Sequence, residues 1–212
     1  MDTETEFLID KCKLGDSEAF HKLFARYQEK TLRIVRLRLD SRTRHLLKTQ
    51  SWDILQEVFE DAFKKIQDYR PMTKGSFKHW LSKIIENNIK DRIDYNLAKK
   101  RAAPGGEESL DEIKEFGSGG EFKLDDILPG MNTSPTQYLF KRNIRSAIDD
   151  ILLKLDGPER EIIIQHKLEE LTFLEIAEIS EKKEDAVRKQ FSRAFKKLVS
   201  LAEGDQTLKE LR

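Results

Sequence analysis

The chain has 212 residues, with 39 Lys and Arg against 39 Asp and Glu, and so no formal net charge. That length holds one large domain or two small ones, and with 38% hydrophobic and 37% charged residues a core has to come from amphipathic elements. No apolar run approaches the ~20 residues that span a bilayer, so membrane insertion is not expected. Cys12 is the only cysteine, which excludes a disulfide framework and a cysteine-based metal site. His21, His45, His79 and His166 are scattered, with no pair at ligand spacing, so the expectation is no metal and no cofactor. The first residues, MDTETEFLID, are acidic and lack the pattern of a secretion signal. A cytoplasmic location is expected.

Neutrality is an average over segments of opposite sign. From Lys74 to Arg101 there are eight Lys or Arg against three acids, and from Ala186 to Val199 five against none. Between these basic stretches, Ala102 to Phe140 carries eight acids and two basic residues. This middle stretch also holds most of the glycines and prolines and shows little helical periodicity. A structureless stretch that long is unusual inside one compact domain. Residues 102–137 are therefore expected to form a linker between a domain at 1–101 and another at 138–203, with a tail at 204–212.

In chain order, the first domain reads as four helices. Gly15 interrupts a leading helix, and Asp16 or Ser17 is placed to cap the next by accepting from free backbone N–H groups. Phe20, Leu23, Phe24, Tyr27, Ile34 and Val35 then recur at helical spacing. A third helix carries Leu55, Val58, Phe59, Ala62, Phe63 and Ile66 on one face, ended by Pro71 and Gly75. A fourth carries Phe77, Trp80, Leu81, Ile84, Ile85, Ile89 and Ile93. The aromatic residues Phe59, Phe63 and Trp80 are expected in the core, because an aromatic stripe at helical spacing is usually packing. No stretch has the alternation of a strand.

The second domain begins with a stripe of Ile144, Ile148, Ile151, Leu152 and Leu155. Gly157-Pro158 stops one helix and starts the next, which runs through Ile162, Ile163 and Leu168. Thr172 and Glu175 have capping-box spacing at the head of a short helix with Ile176, Ala177 and Ile179. A last helix places Val187, Phe191, Ala194, Phe195 and Leu198 on one face and Arg188, Lys189, Ser192, Arg193 and Lys196 on another. Lys183 precedes it. The fold class expected is all-α: an N-terminal helical bundle and a C-terminal helix-turn-helix domain joined by a flexible linker. A basic helix in that position suits phosphate and base-edge contacts in a major groove, and it equally describes the solvated face of an ordinary three-helix domain.

Resemblance separates these readings. The segment ILLKLDGPEREIIIQHKLEELTFLEIAEI and the following AVRKQFSRAFKKL resemble the fourth conserved region of bacterial sigma factors. DILQEVFEDAFKKIQDYR (53–70) resembles the core-binding helix of the second region, and GSFKHWLSKIIENNIKDRI (75–93) the helix that follows it. Two regions in this order with only a linker between them resemble the extracytoplasmic-function group of the sigma-70 family. The resemblance implies an alternative sigma factor that binds core RNA polymerase, recognises the −35 and −10 promoter elements and promotes strand opening. It implies that Lys183, Arg188, Lys189, Ser192, Arg193 and Lys196 meet the −35 element, and that Lys83, Asn87, Asn88, Lys90 and Arg92 lie near the −10 region. Asn87 also sits where it could cap a packing contact. Asp53, Gln56, Glu57 and Glu60 would dock on the clamp coiled coil of the largest polymerase subunit, with the flap of the second largest as a further contact. An anti-sigma factor is a candidate partner, and the chain would act as a monomer on the polymerase.

The turn departs from the family pattern. Glu181 and Lys182 stand where glycine and an apolar residue are usual, so either the turn has another geometry or the preceding helix ends at Ser180. A competing reading is a helix-turn-helix regulator that never enters the polymerase, and another is a helical binding module that titrates an anti-sigma factor. The regulator gives the first domain's core-binding resemblance no purpose, and the titrating module predicts polymerase-independent binding with no promoter-directed transcription. No phosphate loop, histidine–carboxylate cluster or nucleophile elbow is present, so an enzyme is not expected. The acidic linker either masks the basic helices in the free protein or simply keeps a mobile segment soluble.

Overall fold

The computed structural model describes residues 3–39, 43, 47, 50–70, 76–102 and 135–210. Among these residues the fold is all-α, without strands. The leading helix α1 (Thr3–Lys13) ends at Gly15, whose φ of 86° is a left-handed conformation that costs glycine little. Asp16 then caps α2 (Ser17–Arg38), accepting from the Ala19 N–H at 3.0 Å. Thr5 Oγ1 and the Tyr27 hydroxyl, 3.2 Å apart, tie α1 to α2. Helix α3 (Ser51–Lys65) opens with a capping box between Gln50 and Asp53 and buries Ile54, Leu55, Val58 and Ala62. It runs into a 3₁₀ turn, Ile66–Asp68. Helix α4 (Ser76–Ala102) buries Phe77, Leu81, Ile84, Ile85 and Ile89.

The C-terminal helices are α5 (Pro135–Leu153), α6 (Gly157–Ile163), α7 (Phe173–Ser180), α8 (Glu184–Gly204) and the short α9 (Gln206–Glu210). Helix α5 begins at Pro135, three residues inside the expected linker, which otherwise lies outside the described residues. Buried Arg160 reaches back from α6 to the carbonyl oxygens of Leu153 and Leu155, satisfying acceptors that the end of α5 leaves without helical partners. The helix expected to run through Leu168 changes pitch: Ile164–Leu168 is a π-helical turn, with the Glu169 N–H donating to the Ile164 carbonyl. One added residue per turn rotates everything beyond it, and it brings Glu169 to the inside.

The two groups of helices pack against each other, and their buried apolar residues form one cluster. Among the described residues, four places join them through charge. Glu29 pairs with Arg145, and one turn later Arg33 Nε donates to Asp149 at 2.8 Å, so α2 and α5 run side by side in the same direction. Glu170 holds Lys30 at 2.8 Å and also binds Lys78. At the centre Arg38, its side chain only 7% exposed, donates to Glu161 and to Glu169, each at 2.6 Å. The same guanidinium reaches Glu86 at 3.2 Å and Ser82 Oγ at 2.6 Å. Glu169 is 1% exposed. Burial on its own would lower the pKa of Arg38, but hydrogen bonds to Glu161 and the charges of Glu169, Glu161 and Glu86 raise it above its ordinary value. For Glu169 burial is the larger effect and pushes the carboxyl up, against the pull of Arg38 and Ser82.

The core corrects one expectation. Trp80 and Phe59 are partly buried against the cluster, but Phe63 is 53% exposed. Its ring meets Phe20 edge to face at 4.6 Å at the rim of the bundle rather than inside it.

Candidate nucleic-acid and polymerase interface

The recognition hairpin is built from α7 and α8. Thr172 accepts from the Glu175 N–H at 3.2 Å while the Glu175 carboxylate accepts from the Thr172 N–H at 2.7 Å, a complete capping box. Helix α7 ends at Ser180. Glu181 then takes the left-handed conformation, φ 53° and ψ 38°. The Lys182 N–H donates to the Ala177 carbonyl at 2.9 Å and the Glu181 N–H to Glu178 at 3.4 Å. These are the two bonds of a Schellman turn. The turn therefore keeps the geometry that glycine usually provides, with glutamate bearing the strain. Lys182 does not tuck under the helices: its Nζ lies 3.2 Å from Gln190 Oε1, and Gln190 Nε2 reaches the Pro158 carbonyl at 3.3 Å.

Helix α8 buries Val187 and Ala194. Phe191 packs on His166 and Phe173, with ring centroids 4.7 and 5.4 Å away. Lys183, Arg188, Lys189, Ser192, Arg193 and Lys196 are all exposed. Arg188 is already oriented: its Nε donates to Glu184 at 2.9 Å and its guanidinium lies 4.9 Å from the Phe173 ring centre. Glu184 thus positions a cation at the start of the helix.

On α4 the expected −10 residues divide. Asn87 and Lys90 are exposed. Lys83 is paired with Glu86 at 2.6 Å. Asn88 donates to Asp61 at 3.2 Å and to the Ile84 carbonyl at 3.0 Å. Arg92 Nε donates to Glu57 at 2.8 Å, and the hydrogen bonds to that carboxylate raise the guanidinium pKa. A residue expected at DNA and one expected at the polymerase are thus bonded to each other. Around them lies a surface cavity of about 610 Å³ lined by Leu47, Glu57, Asn88, Arg92 and Tyr95. Tyr95 was not among the expected site residues, although it is 67% exposed. An exposed aromatic among basic and amide side chains was the signal for it.

Asp53, Gln56 and Glu60 are exposed along α3, and Glu57 is half-buried. Gln56 Nε2 donates to Glu60 at 3.2 Å, and Asp53 accepts from the Gln50 N–H at 2.9 Å, so Asp53 also caps its own helix. Beside them runs a groove of about 830 Å³ whose floor includes Phe20, Trp52, Phe59 and Phe63. The acidic row is therefore the edge of an apolar trough, which the helical spacing of Phe59 and Phe63 hid by marking both as core. No group of His, Cys, Asp and Glu among the described residues has the arrangement of a metal site. No helix among them is long and apolar enough to cross a membrane.

A helix-turn-helix with an exposed basic face, in one chain with an acidic and apolar helical groove, has the layout of a transcription initiation factor. The comparisons agree. The family described as Sigma-70 region 2 matches residues 23–98, and that described as Sigma-70, region 4 matches residues 145–198. The chain is 26% identical over 189 residues to the ECF RNA polymerase sigma-E factor of Escherichia coli K12, covering 89% of both proteins. The Salmonella typhimurium LT2 protein of the same name shows the same identity and coverage, and that of Haemophilus influenzae is 25% identical over 187 residues, 88% of this chain and 89% of its own length. Among solved structures, CnrH in complex with the cytosolic domain of CnrY shares the fold, with a TM-score of 0.54 at 20% identity, covering 96% of this chain and 99% of that one. The chain belongs to the sigma-70 family, in its extracytoplasmic-function group.

Proposed function

We propose that this alternative sigma factor binds core RNA polymerase through the α3 groove and reads a −35 element with α8. It then holds the opened −10 strand with the exposed side of α4. The observation that carries this reading is the presence, in one chain, of an exposed basic recognition helix and a separate acidic-rimmed apolar groove. A regulator that only occupies an operator needs the first and not the second. Residues 1–101 would serve the polymerase and the −10 element, 138–203 the −35 element, with 102–137 as linker and 204–212 as tail. Asp53, Gln56 and Glu60 rim the groove, where the clamp coiled coil of the largest subunit would dock, while Glu57, expected with them, lies at the neighbouring cavity with Arg92. The flap of the second largest subunit would take the C-terminal helices. The chain would work as a monomer in the cytoplasm without chemistry of its own.

In the major groove, Arg188 and Arg193 are the bidentate donors to base edges, while Lys183, Lys189 and Lys196 neutralise phosphates and Ser192 bonds either. Near the −10 element Lys83, Lys90 and Arg92 hold the backbone. Asn87 and Asn88 present amides to unstacked bases, with Tyr95 as a stacking surface. The CnrH structure includes a second protein, the cytosolic domain of CnrY, which supports an anti-sigma factor as a further partner of this chain.

In vitro transcription with purified core polymerase and a genomic promoter library tests the reading. Specific initiation is expected, and none from any promoter would refute it. In the same assay Arg188→Ala with Arg193→Ala should weaken holoenzyme binding to its promoter by about tenfold or more, since a good bidentate pair contributes about 1–3 kcal/mol of discrimination. Unchanged binding would remove α8 from the role.

A further inference from the structure

We propose that Glu184 is a positioning residue for promoter recognition. Together with the Phe173 ring it holds the Arg188 guanidinium so that only the outer edge stays free, and that edge selects guanine. The inference deepens the reading of α8 above and rests on it for the DNA.

The two acids that open α8 are not equivalent. Asp185 is exposed, whereas Glu184 is half-buried. One turn on, Arg188 donates from both Nε and Nη2 to the same Glu184 oxygen, from Nε at 2.9 Å. Its guanidinium carbon lies 4.9 Å from the centre of the Phe173 ring, which belongs to α7. That ring is itself fixed: it stacks on His166 at 4.2 Å and meets Phe191 at 5.4 Å. His166 in turn donates from Nδ1 to the Leu171 carbonyl at 2.8 Å. A lone ion pair spaced four residues apart on an exposed helix contributes little. Here both helices of the hairpin hold the same cation, so the pair is part of how α7 braces α8. Arg193 is held more loosely, its Nε on the Lys189 carbonyl of its own helix at 3.4 Å.

The donor geometry of arginine gives this brace a consequence. A guanidinium carries its N–H donors in a rigid planar fork. Glu184 occupies the Nε side, which leaves the outer N–H groups of Nη1 and Nη2. That end-on pair matches the neighbouring acceptors O6 and N7 that guanine shows in the major groove, whereas adenine sets a donor beside its single acceptor. Holding the side chain beforehand removes much of the ordering entropy that a free arginine gives up on binding. The carboxylate also offsets the charge of Arg188, so this arginine adds less to the sequence-independent attraction of phosphates. Both effects act in one direction, raising the preference for the right base over other DNA.

The test compares wild type, Glu184→Ala, Glu184→Gln, Arg188→Ala and the double variant Glu184→Ala with Arg188→Ala. Each full-length chain is assembled with core RNA polymerase and titrated against promoter duplexes in which every −35 base pair is changed in turn, and against a promoterless duplex. The Nε–Hε magnetic resonance signal of Arg188 is followed in the free chain. Arg188→Ala should relax the preference at one guanine-bearing pair. Glu184→Ala should relax the same pair by about fivefold, leave the other pairs unchanged, tighten binding to the promoterless duplex and lose the Nε–Hε signal to solvent exchange. Glu184→Gln, which keeps an oxygen acceptor for Nε, should recover most of the base preference. The double variant should be no worse than Arg188→Ala alone, because both changes remove one coupled contact. An unchanged Nε–Hε signal and base preference in Glu184→Ala would overturn the proposal. So would relaxation at a different pair, which makes Glu184 a base reader, or an equal loss at every pair, which makes it a structural cap. Tighter binding throughout with the preference intact would reduce Glu184 to simple repulsion of phosphate, and overturns positioning too. If Arg188→Ala relaxes no pair, the reading of α8 itself is refuted, and the specificity role of Glu184 falls with it even where the Nε–Hε signal shows the brace intact.

Discussion

Glu181 shows how one side chain records a conflict between local and tertiary demands. The Schellman turn between α7 and α8 needs a left-handed residue, which costs a residue with a Cβ about 1–2 kcal/mol. The bonds from Lys182 and Glu181 to the end of α7 hold it there. Glu181→Gly should therefore stabilise the protein. The gain is about 0.5–1 kcal/mol once the greater freedom of glycine in the unfolded chain is subtracted. Urea unfolding at neutral pH measures it, and a loss of stability would mean that the glutamate side chain contributes something its position does not reveal. Cys12 makes the opposite point. Burial and the nearby Asp16 charge push its thiol up to about 11, which leaves it un-ionised at neutral pH, and it behaves as a small apolar residue of α1.

At the scale of elements, the recognition helix is only as well placed as α7, which braces it. The eight-residue α7 is too short to form alone and depends on its capping box and on burial of Ile176 and Ala177. Thr172→Ala removes the acceptor for the Glu175 N–H and should cost about 1 kcal/mol of stability. Thermal unfolding measures this directly. Thr172→Asp, which keeps an acceptor at the cap, should recover most of the loss. Helix α4 works differently. Its 27 residues face three neighbours in turn: Phe77 and Trp80 meet Tyr69, Ser82 and Glu86 meet Arg38, and Asn88 and Arg92 meet α3. A single helix thus links the side proposed to face the promoter, the side proposed to face the polymerase and the contact with the C-terminal helices.

For the molecule as a whole, acid should weaken the fold from a direction set by His79. Its Nδ1 is buried without a hydrogen-bond partner, and burial first, then Lys83, lower its pKa below 6.5, with Arg38 in the same sense and Glu86 and Glu175 opposing. The unfolded chain therefore binds a proton that the folded chain resists, so stability falls as pH drops below about 6.5. Unfolding free energy should be lower at pH 5.5 than at pH 7.5, and His79→Gln should flatten that slope. Glu170 adds a second window further down. Hydrogen bonds from Lys30 and then Lys78 hold its carboxyl at about 2, so its contribution is present above the ordinary carboxylate value of 4.5 and is lost as pH falls from there toward 2. Because both lysines belong to the N-terminal helices, this loss loosens the contact between the two halves rather than either half alone.

The sequence by itself determined most of the helices, several of their caps and the family. Period and capping chemistry act within a few residues, so Asp16, Gly157-Pro158 and the Thr172–Glu175 box are legible in one dimension. The basic face of α8 was legible for the same reason: its apolar stripe of Val187, Phe191 and Ala194 leaves the opposite sides exposed. Tertiary structure alone decided three things. It set Phe63 at the rim of a groove, because a stripe at helical spacing gives direction but not how far the neighbouring helix extends to cover it. It turned Arg92 and Glu57 toward each other, because pairing between helices depends on their rotation and not on spacing. And it closed the two halves on Arg38, Glu161 and Glu169, residues 123 and 131 positions apart. In the sequence these are three more charges in a neutral chain; only the fold removes water from around them and makes their pairing matter.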